Sequence, residues 1–274
     1  MRHFIRHETV YRYTAPLNYT IQQLRLSPRS EPHQRTISWS ISSSGRQHAF
    51  VDAFGNLCHM LTICGQHDEV RIIASGVVEI TALDRGRLTT PNQFSPLVFT
   101  MPTRLTEADE SIAEFAHAHL SAGADSSRLL GLAEAIQGTV AYQTGATVVT
   151  STAAEALRLA RGVCQDHAHL FLACCHVLGI PARYVSGYID PGDTAHAESH
   201  AWVDVWVEES GFSGWVSVDV THARFTDASH CRLAIGRDYD SAAPIRGVRR
   251  GGGNETLSVR VDVSPTTSTP PTSL

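Results

Sequence analysis

The stretch Gly162-Val163-Cys164-Gln165-Asp166-His167-Ala168-His169 sets a cysteine immediately before a run that is apolar or small on nearly every side: Ala168, Leu170, Phe171, Leu172, Ala173, Cys174, Cys175, Val177 and Leu178. Only Gln165, His169 and His176 form a thin polar stripe. The segment from about Cys164 to Leu178 therefore reads as a helix buried at the centre of a domain. Gly179 and Pro181 stop it. In the first turn of such a helix Cys164 meets free backbone N–H groups and the positive end of the dipole. Both lower a thiol's pKa toward the thiolate, the form that attacks a carbonyl, and the same amides can hold the oxyanion that results. The other cysteines, Cys58, Cys64, Cys174, Cys175 and Cys231, read as small apolar core residues.

Working outward toward the carboxyl end, strands are expected at Ala182 to Ile189, His200 to Glu208, Gly214 to Val220 and Glu255 to Val263. Pairing His200 with Asp219 on one hairpin puts its midpoint inside Glu208-Glu209-Ser210-Gly211, where a turn is expected anyway. His200 and Asp219 then share one face as cross-strand neighbours. Asp219 is placed to hold one imidazole nitrogen while the other faces Cys164, the orienting role of the acid in a triad. Toward the amino end, Glu107 to Ala122, Ser127 to Val140 and a helix capped by Ser151 or Thr152 and ended by Gly162 carry helical spacing. Tyr142 precedes Cys164 by one loop and one helix and is a candidate donor to the oxyanion. Asp166, one turn into the helix, is either a first-turn acid that complements the dipole or an anchor behind the cysteine.

Farther upstream the text changes. His3 to Tyr13, Ile21 to Leu26, Thr36 to Ser42, Gln47 to Asp52, Asn56 to Cys64 and Val70 to Ile80 are rich in β-branched and aromatic residues, with turn signals between them. They predict a small antiparallel β-sandwich over 1–83. Residues 84–102, with Pro91, Pro96 and Pro102, read as a linker. A second domain follows over 103–263, and the Pro-, Ser- and Thr-rich 264–274 reads as a disordered tail.

The bulk numbers exclude some classes. A formal charge of −5 with mixed signs offers no basic stripe for nucleic acid. No apolar run approaches the ~20 residues of a membrane span. The first residues lack a signal-peptide pattern, so a cytoplasmic protein with free thiols is expected. Fifteen histidines raise the question of a metal, through Cys164 with His167 or His196 with His200. However, His196-Ala197-Glu198-Ser199-His200 departs from the His-Glu-x-x-His pattern and runs into strand text, where residues four apart do not chelate well. No calcium-loop pattern occurs. We therefore expect no metal and no cofactor.

From Tyr142 to Asp219 the sequence resembles the bacterial transglutaminase-like family. The resemblance is carried by Thr147-Val148-Val149-Thr150-Ser151-Thr152-Ala153, Gly162-Val163-Cys164-Gln165-Asp166, Leu178-Gly179-Ile180-Pro181-Ala182-Arg183-Tyr184-Val185-Ser186-Gly187-Tyr188, Ser199-His200-Ala201-Trp202-Val203 and Gly214-Trp215-Val216-Ser217-Val218-Asp219. The amino-terminal strands and Ala234-Ile235-Gly236-Arg237-Asp238-Tyr239-Asp240 are similar to its two-domain form, so most of the chain is covered. The resemblance implies an α+β fold, a papain-like, transglutaminase-like cysteine core preceded by an N-terminal antiparallel β-sandwich. It implies Cys164 as nucleophile, His200 as base and then acid, and Asp219 as orienting group. Val220 and His222 stand where the family usually has proline and asparagine, His167 replaces a common aromatic and His176 a common arginine.

The expected reaction is thiol-dependent acyl transfer on an amide, either a glutamine side chain or a peptide bond, through a thioester. A primary amine acceptor gives transamidation, and water gives hydrolysis or deamidation. With no recognisable amine site hydrolysis is favoured, although the family name points the other way. The expected partner is a protein or peptide, with no nucleic acid and no membrane. The alternatives are a non-catalytic binding module on the same fold and a zinc-dependent hydrolase.

Overall fold

The structure is a computed structural model, and it describes residues 1–89, 95–120, 124–190, 192 and 199–266. Among these residues no helix is long and apolar enough to cross a membrane. The chain begins with β1 (Arg2–Leu24), β2 (Gln34–Ser43), β3 (Arg46–Val51) and β4 (Leu57–Ile80). Where the sequence suggested separate strands, β1 and β4 are each continuous and pair antiparallel along their length. Pro16 and Asn18, between the two expected strands His3 to Tyr13 and Ile21 to Leu26, fall where the pairing register shifts between Arg12 and Tyr19. A bulge accommodates a proline that a regular ladder would not.

The amino-terminal strands form one hydrogen-bonded sheet of six strands rather than two separate sheets. Both long strands run through two halves of it, and residues from both halves, among them Leu24, Leu61, Ile63, Ile72 and Ala74, share one apolar cluster. The other two strands of this sheet come from the far end of the chain. β12 (Ile245–Gly251) and β13 (Glu255–Pro265) both pair antiparallel with β1. The expected boundary at 263 is corrected accordingly. The final strand, assigned from sequence to the second domain, belongs to the first, because β1 offers it an unpaired edge. Ser264 and Pro265, placed in the tail, are part of β13, and 267–274 lie outside the described residues.

The second domain holds α1 (Glu110–His119), α2 (Ser126–Thr139), β5 (Ala141–Tyr142), α3 (Ala153–Leu159), β6 (Arg161–Gly162), α4 (Cys164–Val177), β7 (Ala182–Ile189), β8 (Ser199–Glu209), β9 (Phe212–Asp219), β10 (Arg224–Phe225), β11 (His230–Gly236) and α5 (Tyr239–Ala242). Its sheet runs β10-β9-β8-β7-β11, antiparallel throughout. The apolar sides of α4 explain its place. Leu170, Phe171, Leu172, Ala173, Cys174 and Cys175 are fully buried between the sheet and α1, α2 and α3.

Thr152 caps α3 through a capping box with Glu155. Ala160, in the left-handed region at φ 51°, ends that helix, not Gly162. Gly162 sits in β6, paired parallel with Tyr142. A Cβ there would meet the Asp166 side chain at 2.6–2.8 Å, so its glycine answers to crowding. The stretch expected as a linker is docked in its described parts. The Leu88 N–H donates to Trp215 O at 2.9 Å, and Phe99 is buried edge-on against Trp215.

Candidate active site

Local chemistry fixes the start of α4. Val163, the residue before the helix, is extended (φ −120°, ψ −175°). The Asp166 carboxylate reaches back to accept the Val163 N–H at 2.7 Å and the Thr147 hydroxyl at 2.6 Å. Gln165 donates to Val149 O at 3.1 Å. The loop 147–149 is thus tied to the first turn of α4, which leaves the amides of Cys164 and Gln165 without intrahelical acceptors. Burial pushes the Asp166 carboxyl up, with the Thr147 and Val163 hydrogen bonds opposing it. Asp166 is thus an acid in the first turn of α4 that is also tied to Thr147 and Val163.

Cys164 opens onto a cleft of about 240 Å³ shared with Tyr142, Tyr184, Ser186, His200 and Tyr239. Cys164 is half-buried, whereas Cys174, Cys175, Cys58 and Cys231 are buried. Burial lifts the Cys174 thiol to about 12 and that of Cys175 well above the usual range. Tyr142, half-exposed at the rim, stands edge-on to His167 with ring centroids 6.2 Å apart. Its strand pairs it with Gly162, which is how a residue 22 positions earlier in sequence reaches the cleft of Cys164.

His200 and Asp219 meet, though not by the expected pairing. The β8–β9 register runs from Val203↔Val218 to Glu209↔Phe212, a tighter turn than expected at Ser210-Gly211, with Gly211 at φ 80°. This displaces the pairing by two residues. Because side chains alternate with period two, His200 and Asp219 keep a common face as diagonal neighbours. His200 Nε2 lies 3.0 Å from Asp219 Oδ1. Its other side carries a hydrogen bond with Cys164. Burial pulls the imidazole pKa down, but Asp219 and Cys164 outweigh burial and raise it to about 10. The buried His200 is therefore an imidazolium at neutral pH.

Asp219 is fully buried and takes contacts from three imidazoles. Besides His200, His222 Nδ1 lies 2.7 Å and His230 Nε2 3.0 Å from Oδ2. Burial alone would raise this carboxyl, yet the three ring contacts hold it well below the usual range. Sequence reasoning passed over His222 and His230 as partners of the acid. Only its place three residues after Asp219 hinted at the former. For the latter, the alternation in His230-Cys231-Arg232-Leu233-Ala234 signalled a strand that was not read.

His200, Asp219 and His222 offer ligand atoms within 4.8 Å of one another. Asp219 Oδ2 accepts from His222 Nδ1 at 2.7 Å and Oδ1 lies 3.0 Å from His200 Nε2, so these atoms are engaged with one another. Both ring nitrogens of His167 have other partners. His167 Nε2 donates to Val140 O at 2.9 Å, and Nδ1 bonds the Thr221 hydroxyl at 3.1 Å. His196 lies outside the described residues.

Residues 4–79 match the family described as bacterial transglutaminase-like N-terminal region, and residues 115–220 match the transglutaminase-like superfamily. An uncharacterized protein of Mycobacterium leprae is 30% identical, covering 94% of this chain and 96% of its own. One of Mycobacterium tuberculosis is 26% identical over 96% of this chain and 93% of its own. A crystal structure described as that of "a Putative Cysteine Protease from Cytophaga hutchinsonii" aligns with a TM-score of 0.77 and 20% identity, over 98% of this chain and 93% of that one. At that identity the likeness speaks for the fold.

Proposed function

The chain belongs to the transglutaminase-like superfamily, in the form with a bacterial transglutaminase-like N-terminal region, and on that premise we propose that it transfers the acyl group of a protein or peptide amide to Cys164. The observation that carries the proposal is His200, buried between the Asp219 carboxylate at 3.0 Å and Cys164, with its pKa raised to about 10. An imidazolium so placed pairs with a thiolate and has a proton ready for the leaving group.

The sequence of steps follows from that geometry. The Cys164 thiolate attacks the amide carbon, and the carbonyl electron pair moves to oxygen. The Cys164 amide at the start of α4 and the Tyr142 hydroxyl, which line the same cleft, are our candidate donors to that oxyanion. As the C–N bond breaks, His200 gives its proton to the departing nitrogen and a thioester remains. A water or amine then gives a proton to His200 and attacks the thioester, and Cys164 leaves as thiolate. The half-buried Cys164 leaves the thioester open to water, which favours hydrolysis or deamidation over transamidation.

Incubating the protein and Cys164→Ala with a glutamine-containing peptide library, with and without a primary amine, and reading products by mass tests this. A deamidated, cleaved or amine-bearing peptide made only by the Cys164 form supports the proposal. Unmodified peptides throughout favour a binding module. Product formed equally by Cys164→Ala and abolished by a chelator favours a metal-dependent hydrolase.

A further inference from the structure

One of the two imidazoles that flank His200 on Asp219 is built in deeply. His230, the first residue of β11, is 2% exposed. The Asp227 N–H approaches His230 Nδ1 at 3.2 Å, and the Ser229 hydroxyl lies 3.1 Å from the same atom. Asp227 Oδ1 is also 3.1 Å from Nδ1 and is itself held by the Ser229 N–H at 2.9 Å. Because a carboxylate oxygen only accepts, Nε2 is a nitrogen that presents a hydrogen to Asp219 Oδ2, 3.0 Å away, whichever role Nδ1 takes. Trp202 packs edge-on against the same ring at 5.4 Å.

The strand that carries His230 is the edge of its sheet, and the amino-terminal domain closes that edge. Gln34 Oε1 accepts the Arg232 N–H at 2.7 Å, and Gln34 Nε2 donates to Arg232 O at 2.9 Å. Asn56 repeats the pattern on Ile235, at 2.9 Å and 2.8 Å. Two side-chain amides thus do for β11 what a neighbouring strand would. His3 Nε2 donates to Ala228 O at 2.9 Å, just before the strand.

We propose that His230, fixed by Asp227 and by the amino-terminal domain's grip on β11, is a positioning residue for the acid of the triad. It engages Oδ2 of Asp219 and so leaves Oδ1 to face His200. The position of Asp219 then depends on the β-rich domain, which thereby becomes part of the catalytic assembly. The proposal rests on the thiol reading above, and its test keeps the two apart.

The test is the pH profile of Cys164 alkylation by iodoacetamide in the full chain, read residue by residue by mass, for wild type, His230→Phe, His230→Gln and Asp227→Asn. Loss of the Nε2 hydrogen loosens Asp219 and leaves its charge less compensated, and both effects disfavour the thiolate. The acid limb of the profile should move up by about half a pH unit or more in His230→Phe. It should move less in His230→Gln, which keeps an N–H, and upward in Asp227→Asn, where the anchor of the ring is cut. A role in packing alone would lower the melting temperature without moving the limb. Folded variants whose limbs coincide with wild type would overturn the proposal. Should His230→Phe not fold, Asp227→Asn, altered at a part-exposed side chain, decides alone. Wild-type Cys164 no more reactive than the other thiols would instead sink the thiol reading itself.

Discussion

Asp219→Asn separates charge from shape beside His200. The amide fills the same fully buried space but carries no charge, and one of its two ends can no longer accept a hydrogen bond. If its oxygen keeps facing His200, its NH2 meets His222 and His230, which stand 2.7 and 3.0 Å from Oδ2. If it flips, the NH2 faces His200. Either way the imidazolium loses its anionic partner at 3.0 Å, a difference of about 1.5–3 kcal/mol on the scale of hydrogen bonds to charged groups. At ~1.36 kcal/mol per pKa unit, that is about one to two units. The His200 midpoint, raised in wild type from 6.5 to about 10 against the pull of burial, should fall to about 8–9. The sign also fixes the stability profile. A raised histidine contributes stability that is full below 6.5 and lost as pH climbs through about 10. In the variant that contribution is smaller and vanishes at lower pH. The assay is NMR titration of the histidine ring protons, with His200 assigned by its absence from His200→Gln. Thioester formation should drop by about 10²- to 10⁴-fold as well. A His200 midpoint unchanged or higher in Asp219→Asn would refute the reasoning.

Three further substitutions probe the supports of the site. Asp204, fully buried, accepts from Arg183 at 2.8 Å and from Arg232 at 2.6 and 2.9 Å; Asp204→Asn strands those cations with Glu31 alone nearby and should cost about 3–5 kcal/mol in urea unfolding. Gly162→Ala drives a methyl into Asp166 at 2.6–2.8 Å, so stability should fall by about 1–3 kcal/mol and Cys164 alkylation should slow; an unchanged rate would show that Asp166 does not set the start of the helix. Tyr142→Phe removes a hydroxyl at the cleft rim and should lower kcat on a peptide found in the library by about 10²-fold with KM unchanged; equal kcat would remove Tyr142 from the oxyanion site.

The cysteine, its helix and the strands of the hairpin were legible because each rests on a local rule. The apolar faces from Ala168 to Leu178 demanded burial, and a buried helix needs a defined first residue. His200 and Asp219 came together despite a register displaced by two, since an even slip preserves the face; a slip of one would have parted them. What escaped was long-range. Glu255 to Val263 reads as a strand, but nothing local names its partner: β1, which pairs with both β12 and β13, lies more than 200 residues away in sequence. The gap between His3 to Tyr13 and Ile21 to Leu26 is a register shift inside one strand rather than a break between two. His230 was invisible as a partner of Asp219 because its place depends on Gln34 and Asn56 closing an edge from another domain.

Reaction of the native chain with limiting iodoacetamide near neutral pH, read at each of the six cysteines by mass, addresses the thiolate directly. Stoichiometric labelling of Cys164, far ahead of every other thiol including the exposed Cys64, is the result predicted for a sulfur paired with the His200 imidazolium, and His200→Gln should erase the preference. Slow labelling with Cys164 no faster than Cys64 would contradict the account.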